Sequence, residues 1–397
     1  MPRPVESERL RALPPYAFAE IDAQAAELRR QHVEVIDFGV GDPTIPTPGP
    51  IRRACREGVE RYADAGYPAY AGAPFFRQAA ADWLRRRHGV ELSPETEITA
   101  TIGSKEAVFH LPEAVCDPGD VVVVPSPGYP PYAAGARFAE AQTHPYGLFA
   151  AHGFLPDLEA LERSLPARAR LLWINYPNSP TGACATRDDL ARLAAFARRH
   201  DLLLASDEAY IDLWFGEQPA PSLLEVARER VICFFSLSKR SAMTGYRVGF
   251  AAGDRELIGA LRRLKTNLDS GVPTFIQSAA AEALADETHV EQMREEYRDK
   301  RDRLCAALER LGLPPARPAG AIYVWQPLPP GLDDREAARR LLRPDLAIVA
   351  TPGSLLASPL PDGRHPGAGH LRFALVPPLH LVDEAVRRLT SIPWLDR

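Results

Sequence analysis

Residues 235–250 read FSLSKRSAMTGYRVGF, placing Ser236, Ser238, Lys239 and Arg247 within twelve positions directly after an apolar run, Val231 to Phe235. The lysine is the unusual residue. The chain holds 47 basic residues, of which only four are lysine: Lys105, Lys239, Lys265 and Lys300. Where a cation serves charge or solubility alone, arginine replaces lysine freely, but guanidinium cannot shed its proton as a primary amine can. Lys300, inside the charged helical run REEYRDKRDR, is left as a product of that compositional bias. Lys239 is different: it follows a strand-like run and is flanked by small hydroxyl residues and glycine, which is poor company for a solvated lysine.

The rest of the chain sets the frame for that lysine. A length of 397 residues with 46% apolar content allows two domains with substantial cores. The net charge is -5 with acids and bases interspersed, so no polyanion-binding or nucleic-acid surface is expected, and the ligands should be small molecules. Five cysteines stand singly at 55, 116, 184, 233 and 305, without the pairing of a disulfide framework or a metal cluster. No signal-peptide core or membrane-spanning run occurs, and a cytoplasmic protein without a metal site is expected.

Short apolar runs alternate with helical patterns through the first two thirds. EITATI leads into Gly103-Ser104-Lys105 and a helix, and then come VVVVP, a turn SPGYPPY, LLWINYP, the helix RDDLARLAAFARRH, LLLASDEAY and VICFFSLSK. This pattern predicts an α/β fold, a mainly parallel sheet sandwiched by helices. Such sheets bind ligands beyond the C-terminal ends of their strands. Three polar clusters should meet there: Asn175 to Asn178, Asp207 to Tyr210, and Ser236 to Lys239. From about residue 285 a long charged helix and the strand-like AIYVWQP, DLAIVATPG and HLRFALV indicate a smaller α+β domain. The expected division is an N-terminal segment at 1–45 packing with the small domain, a large domain at 46–284 and a small domain at 285–397.

A lysine and an aspartate facing one crevice are either a buried ion pair or the two ends of a pyridoxal 5'-phosphate site. That cofactor needs an amine for its aldehyde, a carboxylate for its ring nitrogen, and donors for its phosphate. Gly103, Ser104, Lys105, Ser236, Ser238 and Arg247 supply phosphate donors, the first three at a strand–turn–helix junction that aims backbone N–H groups at an anion. Tyr129 is a candidate ring face, and Asn178 and Tyr210 are candidate partners of the ring oxygen.

The same segments carry a resemblance. VGDPTIPTP, GSKEAVF, NYPNSPTG, SDEAY, SLSKRSAMTGYRVGF and the late arginine of HLRFAL occur in the order found in class I/II aminotransferases, from about Leu13 to the C-terminus. The resemblance implies an aspartate-aminotransferase-like fold with Lys239 bonded to the cofactor, Asp207 on its ring nitrogen, Asn178 and Tyr210 on its ring oxygen and Tyr129 on its face. It implies a homodimer, with Tyr67 reaching the phosphate from the second subunit. Arg372 becomes the clamp on the substrate α-carboxylate, with Gly41 and Asn178 beside it. From the residues alone Arg372 is equally able to pair with a structural carboxylate, and Lys105 can serve through its backbone N–H alone.

Within the family, LPPYAFAEID, SPGYPPY and KTNLDSGVPTFIQ resemble the diaminopimelate branch of lysine biosynthesis, which makes Tyr16 a substrate contact. The expected activity is transamination between an L-amino acid and a 2-oxo acid, with glutamate and 2-oxoglutarate as the nitrogen pair. Free and N-succinylated diaminopimelate are not separated by these motifs. Lyases, synthases, decarboxylases and oxidases of the same fold remain the alternative.

Overall fold

The computed structural model describes residues 4–13, 19–392 and 394. Its first strand, β1 (Ile36–Asp37), is a two-residue pairing whose partner lies more than 300 residues away. The main sheet follows: β2 (Ile98–Thr101), β3 (Val121–Ser126), β4 (Gln142–Gly147), β5 (Ala169–Ile174), β6 (Leu203–Asp207), β7 (Val231–Ser236) and β8 (Gly249–Gly253). Their spatial order is β2-β8-β7-β6-β5-β3-β4. The run from β4 to β7 is parallel, while β8 is antiparallel to both β2 and β7. The mainly parallel α/β sheet expected from the alternation is therefore present.

Alternation of side chains explains the burial on both faces. Val123, Leu172, Leu204, Cys233, Phe235 and Phe250 enter the core on one face. Val122, Trp173, Ala205, Ile232, Phe234 and Ala251 enter the core on the other. Truncating one of the large side chains, such as Trp173 or Phe234, should cost about 3–5 kcal/mol.

Two strands escaped the sequence pattern for physical reasons. β4 lies at the sheet edge and reads QTHPYG, too polar for a core strand. β8 reads GFAAG and lacks β-branched residues. Its Gly249 is a steric requirement, because a Cβ there would fall 2.4 Å from the Phe235 carbonyl oxygen and 3.3 Å from the Ser104 amide nitrogen. Close approach thus brings the end of β7 against the helix Gly103–Val115.

The C-terminal part builds a second layer. β9 (Tyr323–Pro327) pairs antiparallel with β12 (His370–Ala374), which pairs with the short β11 (Thr351–Pro352); β10 (Ile348–Val349) is the parallel partner of β1. Ile36 and Phe38 share one core with Tyr297, Leu304, Val324, Ile348 and Phe373. The N-terminal segment is thereby stitched to the C-terminal sheet.

Lys300 corrects the sequence reading. It lies on the face of the helix Thr288–Arg310 that also carries Tyr297, Leu304 and Leu308, and all four are fully buried. Its ammonium lies 2.6 Å from Glu296 and 5.4 Å from the centre of the Tyr297 ring. The surrounding charges hid a buried position because one turn of helix carries both an inward lysine and the carboxylate that neutralises it.

Candidate active site

The C-terminal ends of β5, β6 and β7 lie side by side, so Asn175–Asn178, Asp207–Tyr210 and Ser236–Lys239 come together as expected. Lys239 lies on the short helix Leu237–Arg240, which Ser236 opens by accepting a hydrogen bond from the Ser238 amide at 3.2 Å. Its neighbour Arg240 anchors that helix from behind. The Arg240 guanidinium donates to Asp212 at 2.6 Å and Glu287 at 2.7 Å, and to the Ala283 carbonyl at 2.8 Å.

The Lys239 ammonium faces forward and donates to the Gly41 carbonyl. Burial pushes its pKa below the ordinary lysine value; the positive charges of Arg247 and Arg372 act in the same sense, against Tyr323 and Asp42. A lysine in this state needs less help to become a neutral amine.

Asp207, at the end of β6, is 5% exposed. Its carboxylate accepts from the Tyr132 hydroxyl at 2.9 Å and the Ala209 amide at 3.2 Å. Asn175 donates to its main-chain carbonyl at 2.6 Å. Burial raises its pKa to about 6, with the Tyr132 and Ala209 hydrogen bonds opposing. This carboxylate gains from a cation placed beside it. Tyr132 was passed over in SPGYPPY, where nothing distinguishes it from Tyr129; Tyr132 is the one stacked on Trp173 with its hydroxyl on Asp207. Tyr129 stands edge-on to Tyr132 with ring centres 5.8 Å apart, and burial with the nearby Asp207 charge raises its pKa.

Asn178 is fully buried, and its side-chain oxygen accepts from the Thr181 amide at 3.0 Å and hydroxyl at 2.7 Å. Its amide nitrogen donates to the Asn175 carbonyl at 3.2 Å, which leaves one N–H to give. The hydroxyl of Tyr210 is 2.7 Å from that of Tyr323, a residue read in the sequence only as part of a strand.

The groups expected to hold a phosphate lie together around the turn at Gly103. The helix Gly103–Val115 begins after Ile102 without a side-chain cap, so its first amides remain available to an anion. Gly103 has φ +68, and a Cβ there would lie 2.4 Å from Arg247 Nη2; the guanidinium is seated directly over the turn. Ser236 is paired in register with Gly249, the residue that touches Ser104. Lys105 is exposed at the third position of the helix. The uncapped helix start, Arg247 and the two serines fit a phosphate, and buried Asp207 fits a protonated ring nitrogen.

Arg372 lies in β12 and is buried. No carboxylate among the described residues forms an ion pair with it, so the structural-pair alternative is not what the fold builds. Instead it donates to the Gly39 carbonyl and the Thr351 hydroxyl, and its Nε has no partner. Tyr67 is 91% exposed, apart from these groups. Tyr16 lies outside the described residues.

The comparisons agree with this geometry. The family model for aminotransferase class I and II matches residues 33–389. The LL-diaminopimelate aminotransferase of Desulforudis audaxviator is 44% identical over 388 residues, covering 97% of each chain. That of Syntrophobacter fumaroxidans is 41% identical and covers 98% of this chain and 99% of its own. Among solved structures, substrate-bound BacF from Bacillus subtilis superposes with a TM-score of 0.90 at 31% identity, covering 98% of each chain. Thermus thermophilus aspartate aminotransferase with maleate gives 0.88 at 34% identity, covering 98% of this chain and 99% of its own. The chain belongs to the class I and II aminotransferase family.

Proposed function

We propose that the protein is a pyridoxal 5'-phosphate-dependent transaminase whose amino donor is diaminopimelate, with 2-oxoglutarate and glutamate as the nitrogen pair. One observation carries the reading: Arg372 is a buried guanidinium with an unpartnered Nε and no ion pair among the described residues, in the same site as a half-buried lysine of lowered pKa. A buried cation left without a carboxylate is costly unless a ligand supplies one. The relatives named LL-diaminopimelate aminotransferase support the free diamino acid over its N-succinyl derivative.

When bound, the cofactor supplies an aldehyde that joins to amines and a ring that draws electron density from the substrate Cα. Gly103, Ser104, the Lys105 amide, Ser236, Ser238 and Arg247 would hold its phosphate. Asp207 would hold its ring nitrogen protonated, Asn178 and Tyr210 would donate to its ring oxygen, and Tyr129 would cover its face. Arg372 binds the α-carboxylate and turns the substrate, with Gly41 and Asn178 beside it. Lys239, as the neutral amine, would take the proton from the substrate Cα and return it to the carbon on the far side of the substrate nitrogen. Asn178, Asp207, Tyr210 and Arg372 are buried, which keeps water from their part of the site.

The reading includes a homodimer in which Tyr67 serves the neighbouring site; its 91% exposure, with Val40, Phe75 and Leu268 also exposed, supports it. It includes a cytoplasmic location, in keeping with five unpaired cysteines and with no helix among the described residues being long and apolar enough to cross a membrane. The functional division is taken as 1–45, 46–284 and 285–397, supported by the separate cores of the main sheet and the C-terminal sheet.

An amino-donor screen with 2-oxoglutarate that includes free and N-succinylated diaminopimelate tests substrate and reaction together. Glutamate formation with the free diamino acid is expected. Ammonia release that needs no oxo-acid acceptor would sink the transaminase reading in favour of a lyase.

A further inference from the structure

Tyr323 touches three parts of the site at once. Its hydroxyl is 2.7 Å from the Tyr210 hydroxyl, with the rings edge-on at 72° and 5.6 Å between centres. The Arg372 guanidinium carbon lies 4.8 Å from its ring centre. At Gly41, whose carbonyl holds the Lys239 ammonium, a Cβ would fall 2.2 Å from the Tyr323 hydroxyl. The residue is 4% exposed and held in β9, where its register partner on β12 is Ala374. Its position is therefore fixed by the sheet that carries Arg372, while its hydroxyl belongs to the lysine side of the site.

We propose that Tyr323 is a positioning residue that couples the carboxylate clamp to the lysine, its ring supporting Arg372 and its hydroxyl directing the proton of Tyr210 toward the cofactor's ring oxygen. This rests on the roles given above to Lys239, Tyr210 and Arg372. Two hydroxyls at 2.7 Å share one hydrogen bond, so one donates and the other sends its own proton elsewhere. A guanidinium over the face of Tyr323 draws electron density from that ring and makes its hydroxyl the better donor. With Tyr323 donating, Tyr210 is the acceptor whose proton is free, and a chain of two hydroxyls strengthens each donation. Burial and neighbouring groups raise the Tyr210 pKa, which keeps that proton in place.

The groups facing the two ends are known. Tyr210 is faced by Tyr323, Tyr129 and Asp207, and Lys239 by Tyr323, Asp42, Arg247 and Arg372. Changing only the Tyr323 hydroxyl leaves every other member in place. A weaker donor on the ring oxygen leaves more negative charge beside the lysine–cofactor linkage, which then holds its proton to higher pH.

The test uses the cofactor-loaded full chain with Tyr323→Phe and Tyr323→Leu, read by pH titration of the visible absorbance of the lysine–cofactor linkage and by kcat and KM separately. Tyr323→Phe should raise the midpoint by about half a pH unit, lower kcat about three- to tenfold, and leave KM for the amino donor within about twofold. Tyr323→Leu should show the same midpoint shift and raise KM for both amino and oxo acid about tenfold, because the ring beneath Arg372 is gone. A Tyr323→Phe protein that titrates at the wild-type midpoint overturns the inference, and it decides alone if the leucine variant does not fold. A Tyr323→Leu protein with wild-type KM overturns the coupling to Arg372. A wild-type protein with no such absorbance, or a Lys239→Ala protein that keeps it, overturns the Lys239 assignment itself, a different result from an unshifted Tyr323→Phe.

Discussion

The Tyr132 hydroxyl donates to Asp207 at 2.9 Å in the interior of the protein, and that one hydrogen bond and the Ala209 amide are what the buried carboxylate receives in place of water. Asp207 consequently has a pKa of about 6, against 3.8 for a free aspartate. The folded state holds its proton more tightly than the unfolded state does, so stability of the cofactor-free protein falls as pH rises from about 4 to about 6. Cofactor-free Asp207→Asn should lack this fall and exceed the wild type by about 2–3 kcal/mol at pH 7, with the gap closing below pH 4. Urea unfolding across that range measures it, and parallel curves would show that Asp207 carries no buried charge.

Lys239→Ala removes the amine while leaving Arg240 and its anchors in place. Transamination should fall about 100- to 10,000-fold, the range expected for a positioned proton-transfer group. Turnover measured on purified protein within tenfold of wild type would remove Lys239 from the chemistry.

For Arg372 the informative comparison is alanine against lysine. Losing a charge-assisted, two-point contact should raise KM for the amino donor about 10- to 100-fold in Arg372→Ala, and lysine should recover only part because it cannot present the same planar pair of donors. Steady-state kinetics with donor varied decides this; equal KM in all three proteins would return the arginine to a structural role.

Gly103→Ala places a methyl group against Arg247 and an alanine at φ +68. The strained backbone should cost about 1 kcal/mol in thermal unfolding of the cofactor-free protein. Displacing the guanidinium should weaken cofactor binding about tenfold or more. Fluorescence titration with pyridoxal 5'-phosphate gives the affinity directly, and unchanged binding would show that the cradle lies elsewhere.

Arg240→Met leaves Asp212, which is 1% exposed, with only the longer Arg87 ion pair at 3.5 Å, and should destabilise the protein by about 3 kcal/mol. Arg240→Met with Asp212→Leu should regain part of that loss in denaturant unfolding, the remainder reflecting Arg87, which then loses its carboxylate. If the double variant is as unstable as the single one, the helix bearing Lys239 is held by packing instead.

How much of this was visible beforehand depends on the range of the interaction. The strand-ending clusters at 175–178, 207–210 and 236–239 could be placed because parallel strands align their C-terminal ends whatever their sequence. Tyr132 and Tyr323 could not, since their hydroxyls meet Asp207 and Tyr210 across 75 and 113 residues and nothing local distinguishes them from packing tyrosines. Lys300 shows the opposite error, in which a charged neighbourhood concealed a buried face. β8 was illegible because close contact with Phe235 and Ser104 selects glycine, the residue with the weakest strand signal.

Gly39 and Gly41 lend their carbonyls to Arg372 and Lys239 respectively, so one three-residue stretch holds both of the cations to which the proposed function gives substrate and cofactor. In the proposed function a carboxylate at Arg372 and the cofactor at Lys239 would each compete with one of those carbonyls. The first to bind would bear the cost of loosening the stretch and the second would meet it already half released, so the two occupancies should reinforce each other. Amide exchange at residues 39–41 should then quicken stepwise, once on cofactor loading and again on addition of a dicarboxylate.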